Sequence, residues 1–286
     1  MFLKSIYVAL SGVREADSVA QSALILAKEF NSHVIGSDTV AEPGPFLDQT
    51  GVGMMATYYD ELYKSAEKVQ AHKRSVASEV FEKARQSQSV DIKEKAGPDI
   101  ATCYWYAHDG DADIVARLGR LADLIVVACP GEESAYADLQ TLEHAMFDAR
   151  RPVLMVPQER HFDPSAPIVT AWNGSTEAAR ALINAIPLMK SSGKATLIQV
   201  GDLSPGSTEL ADAESYLNLH GVQVEVILVA EGGESTADIL LKKCQEIEAG
   251  CLVMGAYTHN PWKEMILGGV TKHMTQHAPL PILFAH

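Results

Sequence analysis

Gly255, Gly268 and Gly269 bracket a polar loop, GAYTHNPWKEMILGGVT, that leads from the apolar run CLVM (251–254) into an amphipathic segment ending at Pro279. Glycines so placed suit one kind of chemistry. Where a helix begins, its first N–H groups lack partners and the positive end of its dipole faces outward, which favours a phosphate, and glycine lets an anion approach the backbone closely. A strand-to-helix turn needing two flexible residues reads the same way, so spacing alone leaves both open. His273 and His277, at i and i+4, could clamp a transition metal from one helix face, but a tight site needs a third or fourth ligand, and neither H-E-x-x-H nor a cysteine pair is present. One of the two can instead sit favourably near a helix C-terminus. Gly174-Ser175 follows a strand without a G-x-S-x-G elbow, and Cys129 beside Pro130 has no obvious base. No catalytic residue is assigned.

The elements that must position these residues emerge from an internal repeat. IYVALSGVREA (6–16) lies over IVTAWNGSTEA (168–178), ADLIVVACPG (122–131) over AGCLVMGAYT (249–258), and DARRPVLMVP (148–157) over HAPLPILFAH (277–286). Three matches in one order indicate a duplication. The boundary falls in PQERHFDPSAP (157–167), which predicts domains at 1–158 and 166–286. In the second copy PIVTAW, ATLIQV, VQVEVILV, CLVMG and PILFA have strand length and alternate with helical patterns such as EAARALINAIPLM and ADILLKKCQEIEA. Strict alternation with near-continuous apolar strands predicts a parallel sheet covered on both faces. The first copy repeats the order with an insertion at about 41–88, which includes a helical pattern from roughly Tyr59 to Gln88.

Composition narrows the function classes. The 286 residues are 47% hydrophobic and carry a formal charge of −14. Up to Arg160 there are 16 basic against 24 acidic residues, and after it 7 against 13, so both copies are acidic. That argues against nucleic acid or an anionic membrane as partner. No run approaches the ~20 apolar residues that span a bilayer. MFLKSIYVAL reads as a strand, not a signal peptide, and four cysteines without C-x-x-C spacing fit reduced thiols and a cytoplasmic protein.

On these residues the chain resembles the universal stress protein (UspA) family, in particular its tandem-domain members. MGAYTHNPWKEMILGGVTKHMTQHAPLPILFAH is similar to the family's C-terminal signature, G-x-x-G, nine residues, then G-[ST], with Gly255 and Gly268 on the first and third conserved positions. AWNGSTEAARAL resembles its first strand and loop. The resemblance implies two tandem Rossmann-like (adenine nucleotide alpha hydrolase-like) α/β domains, each a five-stranded mainly parallel sheet in the order 3-2-1-4-5 with helices on both faces. Departures are specific: Thr258 stands at the second glycine, Gly269 at the serine or threonine, and Asn173 at the aspartate near the adenine, where it still offers a carbonyl and an amide.

The resemblance therefore implies a non-enzymatic stress-response protein with a weakened site in the second copy. Its ligand would be ATP, ADP or AMP, and no metal is expected beyond nucleotide-bound Mg. Ala171 and Asn173 would face the base or ribose, and Gly255, Thr258, Gly268, Gly269, Val270 and Thr271 the phosphates. The alternatives are a slow nucleotide hydrolase or transferase using the same cleft, and an interaction scaffold without ligand; no Walker lysine or magnesium carboxylate pair is visible. The first copy has Ser11 at the aspartate, Ala128 at the first glycine and Glu132 and Glu133 where a polyphosphate would lie. It is assigned a structural role, with its insertion lying over a neighbouring cleft. The last strands, VLMVP and ILFAH, are expected to pair within the chain as a pseudo-dimer. Homodimerisation of the whole chain stays open.

Overall fold

The structure is a computed structural model that describes residues 3–12, 17–40, 56–97, 99–130, 135–202, 208–230, 232–256 and 269–286. The first half runs β1 (Ser5–Leu10), α1 (Asp17–Phe30), β2 (His33–Asp38), α2 (Ala56–Gln88), β3 (Asp91–Ile92), β4 (Thr102–Trp105), α3 (Ile114–Gly119), β5 (Leu124–Ala128), α4 (Ala135–Glu143, continued as a π-helical turn over His144–Asp148) and β6 (Val153–Val156). The second runs β7 (Ile168–Trp172), α5 (Thr176–Ser192), β8 (Ala195–Val200), α6 (Leu210–Leu219), β9 (Val224–Val229), α7 (Thr236–Glu246), β10 (Cys251–Gly255), α8 (Gly269–His277) and β11 (Ile282–Ala285).

All strands join one 11-stranded sheet in the order β3-β4-β2-β1-β5-β6-β11-β10-β7-β8-β9. Each half therefore has the expected 3-2-1-4-5 order. The first half adds the two-residue β3 at its outer edge, too short to be visible as a period in the sequence. The repeat extends to register. Ile6 faces Leu124 as Ile168 faces Cys251, and Ile125 faces Val153 as Leu252 faces Ile282, which are the residues that the sequence repeat aligns. After the first helix of each half the chain turns in the left-handed region, at Asn31 (φ 50°) and Gly193 (φ 64°).

Every strand pair is parallel except β6 with β11. There Leu283 faces Leu154, flanked by Ile282 opposite Met155 and Phe284 opposite Val153. The two leucines are equivalent in the repeat, so a pseudo-twofold axis passes between them and each last strand removes the other's open edge. All six side chains are at most 1% exposed. Burying each is worth roughly 1.5 to 3 kcal/mol, so the seam is core. One apolar layer lies beneath α1, α2, α5 and α6, and the other beneath α3, α4, α7 and α8. The stretch 157–167 is docked: Phe162 is fully buried, its N–H donates to Ser22 Oγ at 2.9 Å, and Arg160 donates to the Ala249 carbonyl at 2.8 Å.

Candidate functional site

In an open α/β sheet the ligand crevice lies beyond the carboxyl ends of the strands, where the winding reverses. In the second half that point is between β7 and β10. β7 hands over to α5 through Asn173, Gly174 and Ser175. Asn173 Oδ1 accepts from the Ser175 N–H at 3.2 Å, Gly174 sits at φ 69°, and Ser175 caps α5 by accepting from the Ala178 N–H at 3.1 Å. Thr208 clasps this turn: its N–H donates to the Gly174 carbonyl, and its carbonyl accepts from Trp172 Nε1, both at 3.2 Å. Asn173 is exposed, and its carboxamide nitrogen makes no hydrogen bond among the described residues. Ala171 is half-buried against the opposite apolar layer, so only its backbone is offered to a ligand.

Gly255 has a packing reason to be glycine. A Cβ there would lie 2.6 Å from the Ala178 nitrogen and 2.8 Å from Glu177 Cβ, so the end of β10 rests against the first turn of α5. Asn173 and Gly255 thus converge on one helix N-terminus. Gly269 opens α8 and is exposed, and a Cβ there would meet nothing within 4 Å among the described residues. Val270 is half-buried, and Thr271 is 5% exposed on the packed face it shares with Met274 and Thr275. Of that first turn, Gly269 is the residue open to an incoming group. Thr258 and Gly268, both assigned to the phosphates, lie outside the described residues, as do Glu132 and Glu133 of the first half.

The histidine pair has another occupation. His273 Nε2 lies 3.2 Å from Asp238 Oδ1 of α7, and the His273 and His277 rings are 4.6 Å apart. Among the described residues no three His, Cys, Asp or Glu side chains are grouped as for a metal. All four cysteines are free. Burial pushes the Cys129 thiol up to about 11 and that of Cys251 to about 12. Cys129 donates to the Thr275 carbonyl at 3.2 Å, bracing α8 against the first half.

The first-half crevice is built differently. Gly12, the counterpart of Gly174, sits at φ 77°, and a Cβ there would lie 2.5 Å from the Lys73 carbonyl oxygen of α2. The insertion helix therefore lies over the strand ends of its own half, not over a neighbouring cleft, because Gly12 admits its backbone. Asp38, at the end of β2, is 2% exposed. Its Oδ1 accepts from the Val40 N–H at 3.1 Å and lies 3.9 Å from Arg74 Nε and 3.5 Å from His108 Nε2. Sequence reading missed this cluster and Thr208. The available signal was in α2, whose core-facing stripe Ala77, Phe81, Ala84 turns polar one step earlier, at Gln70 and Arg74. A separate groove of about 590 Å³ opens at the sheet's outer edge between α2 and β4, floored by Cys103, Tyr104 and Trp105. Its Glu82 and Arg85 are paired with each other, so it offers no convergent polar set.

No protein-family model and no curated protein sequence matches the chain. Among solved structures, a universal stress protein from Archaeoglobus fulgidus DSM 4304 aligns over 100% of this chain and 99% of its own, with a TM-score of 0.64 and 16% identity. The chain has the fold of a universal stress protein. A putative universal stress protein from Pseudomonas aeruginosa UCBPP-PA14 aligns over 99% of this chain and 93% of its own, at TM-score 0.49 and 12% identity. A universal stress protein in complex with cAMP aligns over 43% of this chain and 99% of its own, at TM-score 0.33 and 18% identity. No helix among the described residues is long and apolar enough to cross a membrane.

Proposed function

We propose that the chain is a tandem universal stress protein with domains at 1–158 and 166–286, that it acts as a binding module, and that its second domain takes an adenine nucleotide. The observation that carries this is the exposed Asn173 turn beside Gly255 at the β7/β10 crevice, together with the exposed Gly269 that opens α8. Among the described residues the Asn173 carboxamide nitrogen makes no hydrogen bond and a Cβ on Gly269 would meet nothing within 4 Å. Asn173 would meet the base or ribose, and the backbone of Gly269 and Val270 a phosphate, with the α8 dipole favouring the negative charge. Gly255 serves by letting the end of β10 rest against the first turn of α5. Thr271 supports the turn from its packed face. In the first domain, Lys73 stands against Gly12 at the matching point, which supports a structural role there.

Native mass spectrometry of protein purified without added nucleotide tests this. The expected result is a fraction of chains carrying the mass of one adenine nucleotide, or acquiring it from ATP, ADP or AMP at millimolar concentration. Chains that stay bare throughout would transfer the role to a scaffold without ligand, and steady release of phosphate would favour the hydrolase.

A further inference from the structure

Helix α2 is one element geometrically but two energetically. From Ala77 onward it is anchored by Ala77, Val80, Phe81 and Ala84, each at most 9% exposed. Between 61 and 76 it has no fully buried residue, and Leu62 and Val69 are 37% and 54% exposed. Its turn from Gln70 to Arg74 stands over the ends of β1 and β2. The Lys73 backbone rests on Gly12, and Arg74 reaches Asp38, with the two side chains 28% and 3% exposed. The contact is incompletely made. Ser11 Oγ, Gln70 Oε1 and Arg74 Nε are buried there without a hydrogen-bond partner among the described residues.

Orphaned polar groups disfavour the closed arrangement, while pairing of the buried Asp38 carboxylate favours it. Such opposition leaves a small net preference, the condition for local opening without global unfolding. We propose that residues 61–76 form a separable lid that closes the first-half crevice, with the Gln70–Arg74 turn in the position a ligand would take, latched by Arg74 on Asp38 and seated on Gly12. The lid is independent of whether the second half binds a nucleotide. Opening exposes Ser11, Asp38 and the end of β1 without disturbing the apolar anchor beyond Ala77.

Hydrogen–deuterium exchange on the full chain reads this directly. In the wild type, amides in 61–76 should exchange faster than those in 77–88. Arg74→Met, which takes the guanidinium from beside the Asp38 carboxylate, should speed exchange in 61–76 by about tenfold and leave 77–88, β1 and β7 unchanged. Arg74→Lys should keep most of the protection. Gly12→Ala, whose Cβ overlaps the Lys73 carbonyl, should act like Arg74→Met; if that chain does not fold, the Arg74 pair decides. Exchange that rises equally in 61–76 and 77–88, or that Arg74→Met leaves unchanged, overturns the lid.

Discussion

At the scale of single residues the two halves check each other. Thr170 is fully buried in β7, and its hydroxyl has no partner among the described residues; the equivalent residue in β1 is Val8, also fully buried. A buried hydroxyl without a partner costs about 1 to 3 kcal/mol, and valine has nearly the same shape. Thr170→Val should therefore stabilise the protein by about 1 kcal/mol in urea unfolding, and a loss of similar size would mean that the hydroxyl has a partner after all. The same comparison shows how far single residues were legible in the sequence. The glycine signature located Gly255 and Gly269 correctly at a strand end and a helix start. It could not reveal that Gly255 answers to Glu177 and Ala178 across the crevice, because that contact joins residues far apart in sequence. Nor could it show that Thr271 faces inward, since one helical turn looks alike from either side until its packing partners are known.

At the scale of elements, periodicity carried the second half, where β8 coincides with ATLIQV and β10 with CLVMG. The long helix was legible as a helix, but its position was not, because 16 residues of weakly apolar pattern do not say what they cover. Its own ion pair offers a test in α2. Arg85 donates to both carboxylate oxygens of Glu82 at 2.7 and 2.6 Å, and these bonds, then the one from Gln86, hold the Glu82 carboxyl down at about 2, against 4.5 for a free glutamate. A carboxyl depressed in the folded state stabilises above its unfolded pKa and loses that contribution as pH falls through the folded value. The stability difference between wild type and Glu82→Gln should thus be fully present above pH 4.5 and fade toward pH 2. With Glu82 43% exposed, screening keeps it below ~1 kcal/mol. A difference that grows on acidification would show that the pair is not formed.

At the scale of the whole molecule, aligning the chain with itself located the two equivalent last strands and the resemblance implied that they pair; the shared register and the joining of both halves into one 11-stranded sheet came only from the structure. Leu154 and Leu283 lie opposite each other on the pseudo-twofold axis. Leu154→Ala and Leu283→Ala should cost similar amounts, about 2 to 5 kcal/mol each, and keep one cooperative urea transition. Two separate transitions would show that the halves are stable without the seam. What the duplication does not preserve is the crevice: among the described residues α2 stands over the first and has no counterpart over the second, so under the proposed function the chain should hold one nucleotide, not two. Calorimetry tests this most directly, with ATP, ADP and AMP titrated into the wild type, into the Asn173→Asp, Thr258→Gly, Gly269→Ser triple variant, and into Ser11→Asp as first-half control. A hydrogen bond to a charged group is worth roughly 1.5 to 3 kcal/mol, so the triple variant should bind about tenfold tighter or more than the wild type. Stoichiometry should be one per chain, and Ser11→Asp should change nothing. Two nucleotides per chain, or no heat from either wild type or triple variant at millimolar nucleotide, would contradict it.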